Sequence, residues 1–221
     1  MRKNLAGLAH AALTARSAPD TGPAPRVPTR LDADTQAAVA DLCIREGLGF
    51  ALVLHRRDDG LVGEEIYCST REGDGSWATA GHLSGGLVGI EVTDPRQVAG
   101  VLRGEALAVF SESETLLFTG REQADEDGCE PVRIYEFLVD PRVARLDIED
   151  TSPGAETATV RAWQSPAAQA AVVALFPGER VRVRATTGSG PGSRPLGEPQ
   201  ELSGPGDEVP FGPDSWRSAA G

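Results

Sequence analysis

The sequence predicts a mainly β protein, with antiparallel strands forming a sandwich or barrel-like sheets after two N-terminal helices. Three observations carry this. From Leu48 onward, apolar residues alternate or run in short blocks. Turn signals built from Gly, Asp and Pro recur about every 8–12 residues. The clearest helical spacing lies in the first 47 residues, and no repeat of fixed period is visible.

In chain order, residues 4–16 contain helix formers and no breaker, with Leu5, Leu8, Ala9, Ala12 and Leu13 at helical spacing. "MRKNLAGLAHAALTARSA" shares a basic start and a short apolar run with a signal peptide. His10 interrupts that run, and the expectation is a short amphipathic helix. Residues 18–31 are Pro-rich and read as a linker. A second helix is expected after Asp32 or Asp34 as N-cap, with Val39, Leu42 and Cys43 on one face and Gly47 as its stop.

Strands follow at 48–57 and 63–70 around "DDG", then at 76–80 with 85–93, and at 105–111 with 114–120. An acidic loop at 121–130 separates a first β unit, which with the second helix covers 32–120, from a second at 131–187. That second unit holds strands at 131–139, 140–150, 157–163, 171–176 and 179–187, although Ser165 and Pro166 as N-cap and first residue also fit a helix over 165–178. The last alternates most cleanly, with Val181, Val183 and Ala185 facing inward and Arg180, Arg182 and Arg184 outward. Residues 188–221 hold 14 Gly and Pro among 34 residues and read as a loose tail without packed elements. Phe211 and Trp216 are its only aromatics.

The chain carries 33 acidic and 21 basic residues, a net charge of -12. Such a surface repels phosphate backbones and anionic lipid, so neither nucleic acid nor membrane is an expected partner. A protein partner is. Lys3 is the only lysine, and the Arg, Ala and Gly bias is that of GC-rich, actinobacterial codon use rather than of phosphate recognition. Cys43, Cys68 and Cys129 are widely spaced and odd in number. They read as free thiols in a cytoplasmic protein. No run of 18 apolar residues occurs.

"DGSWATAGHLSGG" (74–86) is the first stretch to raise the question of chemistry. It lacks the lysine of a phosphate loop and the third glycine of a dinucleotide loop. The Ser-Gly-Gly at 84–86 resembles the serine loop of chymotrypsin-like proteases, whose glycines free backbone N–H groups for an oxyanion hole. Leu83 stands where that family has aspartate. The hydrolase reading makes Ser84 the nucleophile and His55 its base, oriented by Asp74 or Asp58; the simpler reading is a surface hairpin loop. "ADEDGCE" (124–130) offers Asp125, Asp127 and Glu130 as oxygen ligands for calcium, one position short of the full loop. The simpler reading there is a solvated acidic loop. Trp77 and Trp163 read as core residues. No cofactor is expected.

"VDPRVARLDIED", "TATVRAW" and "VVALFPGERVRVRATTGSGPGSRPLGEP", within 139–199, resemble β-sandwich segments of uncharacterised actinobacterial proteins. Arg194, Leu196 and Gly197 sit where those segments carry a Gly-Arg-x-Leu-Gly hairpin. The resemblance implies a β fold and no activity. These readings combine into a binding or accessory protein without enzymatic function, serving defence, immunity or secretion. The serine hydrolase and a calcium-dependent binding module are the two alternatives.

Overall fold

The computed structural model describes residues 4–17, 28–29, 31–32, 34–154, 159–164, 169–188 and 193–206, with backbone alone for 17 and 159–164. The rest of the 18–31 linker, the Trp163 side chain, Phe211 and Trp216 lie outside the described set. The described residues are mainly antiparallel β: two helices, three sheets and no closed barrel.

The first sheet has the order β1-β2-β3-β4, formed by Ala37–Arg45, Leu48–Arg56, Val62–Thr70 and Gly81–Leu87. The middle sheet is β5-β6-β9, formed by Leu107–Phe118, Cys129–Val139 and Ala170–Leu175. The third runs β11-β10-β7-β8, formed by Arg194–Pro195, Arg180–Thr187, Arg145–Asp150 and Thr159–Gln164, with β12 (Gln200–Ser203) also on β10. The helices are α1 (Leu5–Ser17) and α2 (Pro95–Leu102).

Three apolar clusters join these layers. One face of β1–β3, including Phe50, Leu52, Leu54 and Ile66, shares a cluster with Val98 and Leu102 of α2 and with Ile134, Leu138 and Val172 of the middle sheet. The other face of the middle sheet, including Phe137 and Val173, meets Leu146, Ile148, Val181 and Val183 of the third. Ala9 and Ala12 of α1 cover Val39, Ala51, Val53 and Tyr67 on the outside of the first sheet. Strands β2 and β9 are buried along almost their whole length. Covered on both faces, they need apolar side chains at consecutive positions, which explains their unbroken apolar runs.

The expected second helix is strand β1. Glu46 and Gly47 have φ of 47° and 82°, the left-handed pair of a two-residue hairpin turn, and β1 folds back on β2 from Arg45↔Leu48 to Ala37↔His55. Gly47 thus reverses the chain instead of stopping a helix. A bulge between Val39 and Asp41 shifts the phase of the strand. Val39 and Leu42 meet α1 while Cys43 enters the main cluster. A Gly47→Ala variant places a Cβ on a left-handed residue. It is expected to lose about 1 kcal/mol, read as a lower urea midpoint with unchanged slope.

The second helix of the fold is instead α2. The Asp94 side chain accepts a hydrogen bond from the Arg96 N–H, and Pro95 occupies the first turn. The expected strands at 105–111 and 114–120 are one strand, β5, bulged between Val109 and Ser111. Residues 121–130 turn this strand into β6, and the two pair from Phe118↔Cys129 to Leu107↔Val139. The expected 76–80 and 85–93 strand pair does not form: Trp77 makes one bridge to Arg71, and β4 pairs with β3.

The β10 alternation holds, with Val181, Val183 and Ala185 buried and Arg180 and Arg184 exposed. The tail departs from expectation. Its Arg194–Pro195 and Gln200–Ser203 segments both pair with β10, Leu202 is buried, and the Tyr135 hydroxyl donates to the Ser203 carbonyl at 2.8 Å.

Candidate functional site

"HLSGG" is part of edge strand β4. Ser84 stands opposite Ile66 and His82 opposite Tyr67, with Leu83 as the extra residue of a bulge. Residues directly opposite in an antiparallel pair share a face. Ile66 belongs to the cluster between the sheets, so Ser84 points inward. His82 packs against the Tyr67 ring, 5.5 Å between centroids, on the outer face.

His55 lies on that outer face too, with Nε2 3.4 Å from Glu65 Oε1, and His82 Nε2 pairs with Glu65 Oε2. The structure therefore joins both imidazoles to one carboxylate and separates them from Ser84 by the sheet. Asp74 is equally remote. His55 pairs with Gly63, near one end of β3, whereas Asp74 follows the other end, about 20 Å away at the rise of a strand. Its Oδ1 accepts from the Ser76 N–H and hydroxyl at 2.8 and 2.6 Å. Asp58 sits in the β2–β3 turn, exposed. The residues of the hydrolase reading do not converge, so it lacks the contact that general-base catalysis requires.

The three calcium candidates also diverge. Asp125 Oδ1 accepts from the backbone N–H groups of Asp127 and Cys129, at 3.0 and 2.7 Å, closing its own loop. Asp127 is exposed. Glu130 is 3% exposed and is occupied by Thr119 Oγ1 at 2.5 Å and Arg121 Nη1 at 3.1 Å. Among the described residues, no three His, Cys, Asp or Glu side chains are grouped so as to hold a metal ion. Cys43, Cys68 and Cys129 are free, and burial pushes the Cys68 thiol up to about 12.

Sequence reasoning missed two features. The first is a pair of buried carboxyls, Glu64 in β3 and Glu136 in β6, 5% and 1% exposed. Burial is the main cause that lifts Glu64 to about 6 and Glu136 to about 7; the Glu64 charge adds to the second shift. Their signal was in the pattern, since Glu64 keeps phase with Val62 and Ile66, and Glu136 with Ile134 and Leu138. Polar residues in an inward phase mark a polar group placed in the core.

The second is the outer edge of β5. Twelve residues long, β5 ends the middle sheet, and among the described residues no strand pairs with its free side. Leu116 and Phe118 are 65% and 64% exposed and Val109 39%. Glu112 and Glu114 lie between them on the same face, held by Arg133. By contrast, the β9 edge is capped: Asp41 Oδ2 accepts from the Val172 N–H at 2.9 Å, and Arg45 Nη1 donates to the Ala174 carbonyl at 3.3 Å.

Comparison with protein-family models, curated proteins and solved structures finds no match to this chain. No helix among the described residues is long and apolar enough to cross a membrane.

Proposed function

We propose that this chain is a non-enzymatic binding or accessory module whose partner is another protein, received as an added strand along the free edge of β5. The observation that carries the reading is that edge itself. A long strand with unpaired N–H and C=O groups is a template for a further strand, and natural proteins shield such edges unless they use them. Here one edge of the middle sheet is capped by side chains, while the other, beyond the Leu107 carbonyl that Gln200 takes, is open and ends in two large exposed apolar residues.

Charge specifies the partner. Glu112 and Glu114 flank the apolar pair on β5, and the following loop exposes Glu122, Asp125, Glu126 and Asp127. A basic segment with alternating apolar residues complements this surface, whereas a second copy of a chain with net charge -12 is repelled. The same charge supports a partner other than nucleic acid or anionic membrane. The shared apolar clusters support a face-to-face sandwich as the finer architecture. A cytoplasmic place and an accessory role in actinobacterial defence, immunity or secretion belong to the same reading and rest on composition.

The test is fluorescence anisotropy of the full chain with two labelled ten-residue peptides, alternating Lys-Val and alternating Glu-Val. The Lys-Val peptide is expected to bind, to weaken with salt, and to lose about tenfold in affinity, or roughly 1.4 kcal/mol, in a Leu116→Ser/Phe118→Ser variant. Methylating alternate peptide N–H groups should weaken it as well. Equal binding of the Glu-Val peptide, or unchanged affinity in the double variant, overturns the proposal.

A further inference from the structure

Glu64 and Glu136 come from different sheets, and both lie in the inward phase of their strands. The Gly86 N–H beside Glu64 and the Ser111 hydroxyl beside Glu136 each favour the ionised carboxylate, but less than burial opposes it. Gly86 makes its contact possible, because a Cβ there would lie 2.7 Å from Glu64 Oε1. One oxygen of each carboxyl, Oε2, is enclosed and has no hydrogen-bond partner among the described residues. The Ser84 hydroxyl, two residues before Gly86 and on the same face, is enclosed and unpartnered as well.

Among the described residues, no cation is placed to balance two negative charges here. Arg56, in the same phase of β2, is taken by Glu91 at 2.6 Å. Opposite stand Val98 and Leu102 of α2 and Val172 of β9, all apolar. Glu65, on the reverse of β3, adds repulsion for Glu64, and His82 gives a smaller attraction. The β1 members of the cluster are Ala38, Ala40 and Cys43, none of them a cation.

We propose that Glu64 and Glu136 form a binding site for a single proton, shared between the first and middle sheets at neutral pH and released as the solution turns alkaline. Two uncompensated carboxylates in an apolar interior cannot both stay ionised at low cost. One proton taken from solvent turns one Oε2 from an acceptor into a donor, so one of the enclosed oxygens gains a bond to give. The upward shifts to about 6 and about 7 belong to the pair as a unit. The folded chain holds this proton more tightly than the unfolded chain, whose glutamates titrate near 4.5. The sign follows: stability is highest below the unfolded value and falls as pH rises through the folded values, levelling off at about pH 8. The carboxylates with lowered pKa, such as Glu91 and Asp140, act in the opposite sense and below the usual carboxylate range, outside this window.

Urea unfolding of the full chain at pH 5, 6, 7 and 8 tests the site. The wild-type folding constant is expected to fall on the order of a hundredfold from pH 5 to pH 8, as a shift of about two units requires. In Glu136→Gln and Glu64→Gln the dependence should flatten, with Glu136→Gln the more stable chain at pH 8. Carboxyl ¹³C titration of the wild type gives a reading that needs no variant: two glutamates are expected to titrate at about 6 to 7. Superimposable pH profiles for wild type and variants, or all glutamates titrating below 5, overturn the proposal. So does a calcium- or magnesium-dependent gain in stability at pH 8 that vanishes in both variants, because the site would then hold a metal cation.

Discussion

Ending the chain after Thr187 is expected to lower its melting temperature by roughly 10–20 °C relative to a chain ending at Gly206. The deleted segment carries β11 and β12, which both pair with β10. Its loss exposes one edge of β10 and removes Leu202 from the cluster between the middle and third sheets. Burial of a leucine contributes about 2 kcal/mol. The hydrogen bonds that go with it include three that tie the segment to parts of the body other than β10: Tyr135 to the Ser203 carbonyl, Gln200 to the Leu107 carbonyl, and the Gly204 N–H to the Glu179 carbonyl. Each contributes about 1 kcal/mol net, which brings the whole to roughly 5 kcal/mol. Gly204→Ala reports on the same contact without truncation. Its Cβ would stand 1.9 Å from the Phe176 carbonyl oxygen, with backbone as the obstacle. Thermal melts of the three chains decide the matter, and matching midpoints would show β12 to be dispensable.

Glu130→Ala is the second large effect, an expected loss of about 3 kcal/mol. Glu130 lies almost fully buried beneath Arg121, whose guanidinium stacks 4.0 Å from the centre of the Phe176 ring. Arg121 Nε also lies 2.6 Å from Glu46 Oε2, an exposed partner poorly aligned for a hydrogen bond. Arg45 flanks the same ring and makes two bonds to Glu179, at 2.7 and 2.8 Å. This network ties three turns together: β1–β2, β5–β6 and β9–β10. Removing Glu130 leaves a partly buried guanidinium with only its weaker partner, and Thr119 loses its acceptor. Chemical denaturation should show Glu130→Gln falling between wild type and Glu130→Ala, since the amide keeps an acceptor and drops the charge. A melting temperature that calcium raises in wild type but not in these variants would instead restore the oxygen-ligand reading of the loop.

The strands legible in the sequence were those with one clear signal. Alternation at Val181, Val183 and Ala185 marked β10 and an unbroken apolar run marked β2, whereas the run that became β9 read equally as the end of a helix begun at Ser165 and Pro166. Strand β1 was hidden because both its faces are covered and a bulge shifts its phase, so Val39, Leu42 and Cys43 fell at helical spacing. The polar centre of β5, "SESET", looked like a turn, although Arg133 on the neighbouring strand supplies the partner for Glu112 and Glu114. Asp94 and Pro95 gave the start signal of α2, but the helix has only eight residues, too few for periodicity to stand out. Glycine and proline masked β12, a strand of four residues with one inward apolar side chain.

The candidate site divided along the same line. Ser84, His55 and Asp74 were chosen by residue type, but the two faces of the sheet separate Ser84 from His55 and the length of β3 separates Asp74 from His55. Glu64 and Glu136 were readable from phase alone, yet their meeting depends on two strands about 70 residues apart being stacked in different sheets.

The order of the middle sheet has a consequence for synthesis. Its third strand, β9, joins β6 only after the chain has laid down β7 and β8 in another sheet. A ribosome therefore delivers the β5–β6 hairpin long before Ala170–Leu175 emerges. Until then one side of β6 carries open backbone groups beside the apolar Ile134, Phe137 and Leu138. Such unpaired surface during a long-range pairing step is where growing chains stick to one another. The nascent protein is thus most in need of a chaperone between the exit of Val139 and that of Leu175.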